Sequence, residues 1–266
     1  MRSGPDIEAE IRSRLFAFPT SHFLSADDLD RKSAESLLAL ADAFAELNRL
    51  REKRIELLRG RTLVNLFLEN STRTQSSFEL AGKRLGADVL SLNPRTSSMA
   101  KGETLTDTAA TLDAMQVDLM AVRHNEEGAP RLIAGAISAS VINAGDGKNE
   151  HPTQATLDAL TIRRTFGRIE GLTVAICGDV RHSRVARSNL RLLRTLGATV
   201  RLVAPASLSP EDAAESGVEV MHDLKAGVSG ADVVMMLRLQ LERMETTLAP
   251  SREAYSADWG LTRDHL

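Results

Sequence analysis

Short apolar runs alternate with stretches of helical spacing along this chain, and most runs end in a polar or glycine-rich turn, which limits it to a narrow set of folds. Residues 63–68, 118–122, 141–143, 174–177 and 232–236 read as buried strands, and 76–85, 104–115 and 153–165 as helices. Strands that alternate with helices predict an α/β protein with parallel sheets. All strands of a parallel sheet open their carboxyl ends on one side, and ligands bind along that edge. The residues just past each strand are therefore the place to look for chemistry.

The first such turn is Glu69-Asn70-Ser71-Thr72-Arg73-Thr74. Free N–H groups at a helix start, the positive end of the helix dipole, hydroxyl donors and a guanidinium fork there point at one small volume that suits a phosphate. Serine and threonine also cap helices with no ligand at all, and the motif alone leaves the two readings level. Its company favours the anion site. Thr96-Ser97-Ser98-Met99-Ala100-Lys101-Gly102-Glu103 is a Ser/Gly/Lys loop leading into the helix 104–115, and the strand 118–122 delivers Arg123-His124 at its end. Val141-Ile142-Asn143-Ala144-Gly145-Asp146-Gly147 runs from strand into a glycine-rich turn, followed by His151-Pro152-Thr153-Gln154 at the next helix start. Arg73, Arg123, His151 and Gln154 are expected to converge on one sheet edge.

Further along, Gly178-Asp179 follows the strand 174–177 as in the first βα unit of a dinucleotide fold, but without the G-x-G-x-x-G spacing that lets a backbone approach a pyrophosphate. Arg184 stands near the start of the next helix, whereas Arg187, Arg191 and Arg194 lie further along it, where solvated or structural ion-pair roles fit better. Past the strand 232–236, Arg238 and Gln240 alternate, which predicts that they share one side of an extended segment. With Arg184 they have the chemistry to hold a dicarboxylate.

In order, these motifs closely resemble the catalytic chain of the aspartate carbamoyltransferase family. The likeness continues through Gly178-Asp179-Val180-Arg181-His182-Ser183-Arg184-Val185-Ala186-Arg187-Ser188-Asn189 and Met236-Leu237-Arg238-Leu239-Gln240-Leu241-Glu242-Arg243-Met244, and covers nearly the whole chain. It implies two domains, each a parallel sheet flanked by helices: 1–150 for carbamoyl phosphate, a connecting helix at 151–166, and 167–266 for aspartate. It places Ser71, Thr72, Arg73 and Thr74 on the phosphate, Arg123, His151 and Thr74 on the carbonyl oxygen, and Gln154 on the carbamoyl amino group. Arg184, Arg238 and Gln240 would grip aspartate. The family supplies Ser97 and Lys101 from a neighbouring subunit, so the resemblance implies a homotrimer with shared sites, Ser97 reaching carbamoyl phosphate and Lys101 also serving aspartate. The catalytic set would be Arg73, Thr74, Lys101, Arg123 and His151, with no cofactor or metal.

An uncharged amine attacking carbamoyl phosphate builds negative charge on the carbonyl oxygen and then on the departing phosphate, so fixed positive donors are what the reaction needs. His151 has the intrinsic pKa of a general base, yet in a crowded cationic site it reads better as a neutral hydrogen-bond donor, with a structural bond at the helix start as the alternative. His22, His124, His182, His222 and His265 receive no catalytic role. Glu69, the single carboxylate of the phosphate motif, reads as orienting an arginine. Glu242 and Arg243 resemble a family loop that links domain closure to catalysis, and read otherwise as a surface ion pair.

Bulk properties narrow the field. A net charge of −3 gives no basic footprint for nucleic acid. The sole cysteine, Cys177, sits in an apolar strand and reads as a buried, inert thiol that excludes an internal disulfide. No apolar run approaches a membrane span, and Asp6, Glu8 and Glu10 stand where a signal-peptide core would be, so the expected location is the cytoplasm. A helix over 26–47, capped by Ser25, is expected near the N-terminus. Two features depart from the family. Gln75 stands where many members have a second arginine, and the chain ends at Leu266 where the family continues with a strand, a His-Pro loop and a long helix. A C-terminally incomplete second domain, with apolar surface uncovered, is the expectation. Rival readings are an ornithine carbamoyltransferase, disfavoured by guanidinium groups where carboxylates would be needed, and a catalytically defective assembly subunit, disfavoured by retention of every matched ligand residue. The family's regulatory partners, a separate regulatory chain or a dihydroorotase, leave no readable mark.

Overall fold

A computed structural model describes residues 3–92, 102–211, 217–244 and 252–265. The chain divides into two compact units, Met1–Thr156 and Leu157–Leu266, and the division falls within the helix Pro152–Phe166.

In the first unit the elements run α1 (Gly4–Ser13), α2 (Arg31–Leu47), β1 (Thr62–Phe67), α3 (Thr72–Arg84), β2 (Asp88–Leu92), α4 (Leu105–Asp113), β3 (Leu119–His124), α5 (Ala129–Ala134), β4 (Ser140–Asp146) and α6 (Pro152–Phe166). The four described strands are parallel, in the order β2-β1-β3-β4. Alternate residues serve opposite faces of this sheet. Val64, Leu66, Met120, Val122 and Val141 pack with Ala109, Leu112 and Ile133, while Leu63, Phe67, Ala121 and Ala144 form the other face with Phe78. Both faces are apolar, which is why these strands read as continuous hydrophobic runs, and each fully buried Val, Leu or Phe contributes about 1.5–3 kcal/mol. The β4 edge is covered by the N-terminal segment, where Phe23 N–H donates to the Val141 carbonyl and Asn143 N–H to the Phe23 carbonyl, each at 2.8 Å.

The helix expected over 26–47 is two elements. Ser25 caps a short 3₁₀ turn, Ala26–Asp28, and Asp30 then caps α2 by accepting from Ser33 N–H at 2.7 Å. Two capping residues five apart each draw the backbone out of helical geometry, and the apolar spacing runs through both. Helix α1 was not expected. A capping box between Ser3 and Asp6 starts it, and Ile7 and Ile11 seat it on Ala43 and Leu47 of α2.

The second unit runs β5 (Thr173–Cys177), α7 (Arg184–Thr195), β6 (Thr199–Val203), β7 (Glu219–Met221), α8 (Leu224–Val228), β8 (Val233–Met236) and α9 (Arg252–Trp259). Its described strands are again parallel, in the order β7-β6-β5-β8. Ala175, Cys177, Val203, Leu224 and Val228 form a core that Val234 and Trp259 extend.

Strand order locates the crevices. The chain leaves β1 for β2 on one side and returns to β3 on the other, and it leaves β5 for β6 and returns to β8 in the same way. Each reversal is a topological switch point, where crossover helices lie on opposite faces and a crevice opens beyond the carboxyl ends. The turns after β1 and β3, and those after β5 and β8, are the ones the sequence marked.

Candidate functional site

Past β1 the chain turns into α3 through Glu69 and Ser71. Ser71 is extended (φ −157°, ψ 96°) and its hydroxyl accepts from Thr74 N–H at 3.3 Å. Capping and anion binding are thus compatible: the cap takes up the Thr74 amide, while the Thr72 and Arg73 amides have no carbonyl within the helix to bond. Thr72 and Arg73 are exposed, Ser71 and Thr74 half-buried, and no acidic residue in the first turn opposes the dipole.

Arg123 lies beside this turn. Phe67 is in register with Arg123, and Leu68 N–H donates to the Arg123 carbonyl at 2.9 Å. The residue belongs to β3, which ends at His124, two residues beyond the end its sequence context indicated. Its guanidinium is tethered twice, Nη2 to Glu69 Oε1 at 2.6 Å and Nη1 to the Ala144 carbonyl at 3.2 Å. The arginine that Glu69 meets is therefore Arg123. Opposite Arg123 the β3–β4 register slips, with Val122 facing Asn143 and His124 facing Asp146. Strand β4 holds one extra residue there, a bulge of the kind that re-aims side chains near functional sites, and Gly145 supplies its positive φ of 116°.

His151 follows the turn after β4, only 5% exposed, with Nδ1 3.3 Å from the Thr153 hydroxyl. Its carbonyl accepts from Gln154 N–H at 3.0 Å and Ala155 N–H at 3.2 Å, which joins it to the first turn of α6. The fold thus brings the Ser71, Thr72, Arg73 and Thr74 turn, Arg123, His151 and the half-buried Gln154 to the carboxyl side of one sheet. Ser97 and Lys101 lie outside the described residues. Gln75 falls within the first turns of α3, half-buried.

The second crevice begins at Gly178, where φ is 114° and a Cβ would meet the Leu237 carbonyl oxygen at 2.9 Å, so only glycine lets the two strand ends approach. Asp179 is fully buried. Its Oδ2 accepts from Gln240 N–H at 2.9 Å, and its Oδ1 accepts from His182 N–H at 3.2 Å and lies 2.8 Å from His182 Nδ1. Arg243 adds a second tie to the same turn, donating to the His182 carbonyl at 3.1 Å. Ser183 caps α7, and Arg184, its first residue, is 2% exposed.

Arg238 and Gln240 do not keep the alternation expected of them. The sheet ends at Met236 and the chain bends into a 3₁₀ turn at Leu241–Arg243, which leaves Arg238 exposed and Gln240 buried. Glu242 grips Arg238 through both carboxylate oxygens, Nη1 to Oε2 at 3.0 Å and Nη2 to Oε1, and this contact holds the Glu242 carboxyl down at about 2.

Other groups bear structure. Burial pushes the Cys177 thiol up to about 12, far from a nucleophilic thiolate. Burial also holds His124 below the usual histidine range, outweighing Glu126, Glu69 and Asp146, and its Nδ1 accepts from Glu126 N–H at 2.9 Å. Among the described residues no cluster of His, Cys, Asp and Glu has metal-binding geometry. The first crevice is thus suited to binding an anion and stabilising charge that develops on an oxygen, and the second to holding carboxylates. Sequence reasoning gave no role to Asp146 or Asp179, the buried carboxylates behind these crevices. Their signal was an acid at or just past the end of an apolar strand, beside a glycine.

Two family models match the chain. That of the aspartate/ornithine carbamoyltransferase carbamoyl-P binding domain covers residues 21–164, and that of the Asp/Orn binding domain covers 170–266. The chain is 64% identical to the aspartate carbamoyltransferase catalytic subunit of Caulobacter vibrioides over 96% of its own length and 77% of that protein. It is 59% identical to that of Granulibacter bethesdensis over 94% and 79%. Among solved structures, aspartate transcarbamoylase from Trypanosoma cruzi in complex with N-(phosphonacetyl)-L-aspartic acid superposes with a TM-score of 0.83 at 33% identity, over 94% of this chain and 82% of that one. The catalytic subunit of the M. Jannaschii enzyme gives a TM-score of 0.80 at 34% identity, over 93% and 82%.

Proposed function

The chain belongs to the aspartate/ornithine carbamoyltransferase family, and on that premise we infer that it transfers the carbamoyl group of carbamoyl phosphate to the amino group of L-aspartate, giving N-carbamoyl-L-aspartate and phosphate in pyrimidine synthesis. The observation that carries this reading is the placement of arginines at both switch points, Arg73 past β1 and Arg123 near the end of β3, and Arg184 and Arg238 past β5 and β8. Guanidinium groups in the second crevice suit a dicarboxylate amino acid and oppose a cationic one.

In this reading the first unit binds carbamoyl phosphate. Ser71, Thr72, Arg73 and Thr74 take the phosphate at the α3 N-terminus, joined by Ser97 and Lys101 of a neighbouring copy. Arg123, His151 and Thr74 donate to the carbonyl oxygen, and Gln154 holds the amino group. The Thr153 hydroxyl lies 3.3 Å from His151 Nδ1, and donation from that hydroxyl would leave the ring proton on Nε2 for that oxygen. The aspartate amine attacks the carbonyl carbon, a C–N bond forms, the C–O bond to phosphate breaks, and the amine proton leaves with the phosphate. Arg184, Arg238, Gln240 and Lys101 orient the aspartate carboxylates in the second unit. The family resemblance makes the active assembly a homotrimer, and a site completed by a neighbour's Ser97 and Lys101 is one that a heterologous interface builds. A cytoplasmic location belongs to the same proposal and rests on the family resemblance.

The test is carbamoyl transfer from carbamoyl phosphate to aspartate and, in parallel, to ornithine, with the assembly sized by sedimentation. Turnover with aspartate and none with ornithine is expected, and the reverse preference would overturn the substrate assignment.

A further inference from the structure

Behind the first crevice lies a carboxylate to which the reaction assigns no role. Asp146 is 1% exposed and accepts four hydrogen bonds, all from neutral donors. Its Oδ1 receives Asn143 Nδ2 at 2.8 Å and Glu150 N–H at 3.0 Å, and its Oδ2 receives Gly128 N–H at 2.7 Å and Asn149 Nδ2 at 3.0 Å. A carboxylate offers about four lone-pair directions and no donor, so it alone among side chains of this size serves four donors at once. An asparagine would turn its NH₂ against two of them.

Those donors sit on the segments that present the carbonyl-facing groups. Asn143 begins the bulge of β4, its Oδ1 accepts from Gly145 N–H at 2.8 Å, and between them the Ala144 carbonyl accepts from Arg123 Nη1 at 3.2 Å. On the other side, Glu150 directly precedes His151, and the turn is closed by Asp146 N–H to the Glu150 carbonyl at 3.1 Å and Asn149 N–H to the Asp146 carbonyl at 2.9 Å. One buried group therefore sets both the oxygen that orients Arg123 and the backbone that carries His151.

We propose that Asp146 is a positioning residue for carbamoyl transfer, fixing Arg123 through the β4 bulge and His151 through the turn 147–150. This rests on the roles given above to Arg123 and His151. Donors that act on a developing oxyanion must be in place before reaction, and a misplacement of about 1 Å can cost about 100-fold in rate.

The experiment compares the parent chain with Asp146→Asn and Asn149→Ala, measuring kcat, KM for each substrate, and thermal melting in the same buffer. Asp146→Asn is expected to lower kcat about 100-fold at temperatures where it is fully folded, with KM for aspartate within about threefold of the parent. Asn149→Ala, which removes one of the four donors, is expected to give a smaller loss of kcat in the same pattern. A purely structural role would lower the melting temperature and leave kcat of the folded protein within threefold, and that result overturns the proposal. So does equal damage to the aspartate KM and to kcat, which would indicate general loosening. If Asp146→Asn does not fold, a wild-type kcat in Asn149→Ala overturns it alone. A parent with no transfer to aspartate sinks the functional reading and this proposal together, whereas an active parent matched by its variants sinks only the positioning role.

Discussion

The two crevices share one topology but hold their arginines differently. In the first unit the Arg123 side chain is 11% exposed and tied to Glu69, fifty-four residues away in sequence, and to a bulged carbonyl of the neighbouring strand. In the second, the Arg238 side chain is 65% exposed and tied to Glu242, four residues on in the same loop. The first arrangement is set by strand pairing, the preorganisation that a group meeting developing charge requires. The second is a local tie between two solvated side chains, and Glu242 fills the fork that a substrate carboxylate would take. On the proposed function, chemistry falls to the arginine held by strand pairing and amino-acid recognition to the one held within its own loop.

The largest expected effects break the first crevice. Arg73→Ala should lose phosphate binding and nearly all turnover, and Arg123→Ala should lower kcat by about 10²–10³-fold, the range for loss of one donor to an oxyanion. Arg238→Ala should act on the other side, weakening aspartate by about 1.5–3 kcal/mol, or roughly 10- to 150-fold in KM, with a smaller change in kcat. Steady-state kinetics with each substrate varied in turn separates the two. Equal loss of aspartate affinity in Arg73→Ala and Arg238→Ala would erase the division of labour.

Both crevices were legible in the sequence. Apolar runs marked the strands that flank each crevice, and the small-residue, glycine and arginine turns after them marked the carboxyl edges. What was not legible depended on long-range partners. That Glu69 orients an arginine followed from charge alone, but the choice of Arg123 is made by the β1–β3 register. Gly178-Asp179 reads in the sequence as the start of a βα unit, and only the fold places the Gln240 amide on Asp179, sixty-one residues on. The bulge in β4 adds one residue between Asn143 and Asp146, where the small and polar side chains give periodicity no signal. The apolar spacing runs through Asp30, whose cap begins α2, so periodicity alone gives one helix where there are two elements.

The smallest expected effect sharpens the comparison through pH. His124 in the first unit has its folded pKa pushed below 6.5 by burial, so the unfolded chain binds its proton first. That contribution to stability is present above about pH 6.5 and is lost as pH falls through the folded value. Glu242 in the second unit has a folded value of about 2 against an ordinary 4.5, so its contribution is complete above 4.5 and is lost only as pH falls towards 2. Both slopes have the same sign but different windows. Thermal melts at pH 7.5, 5.5 and 3.5, values spaced to bracket about 6.5 and 4.5, should show His124→Gln flattening the first step. Glu242→Gln should alter only the last, by well under about 1 kcal/mol because the pair is exposed. Added salt should weaken the Arg238–Glu242 tie and leave Arg123 on Glu69 nearly untouched, since screening acts on solvated charges and spares buried ones. A Glu242→Gln effect already present between pH 7.5 and 5.5 would mean that this tie is held by more than its own loop.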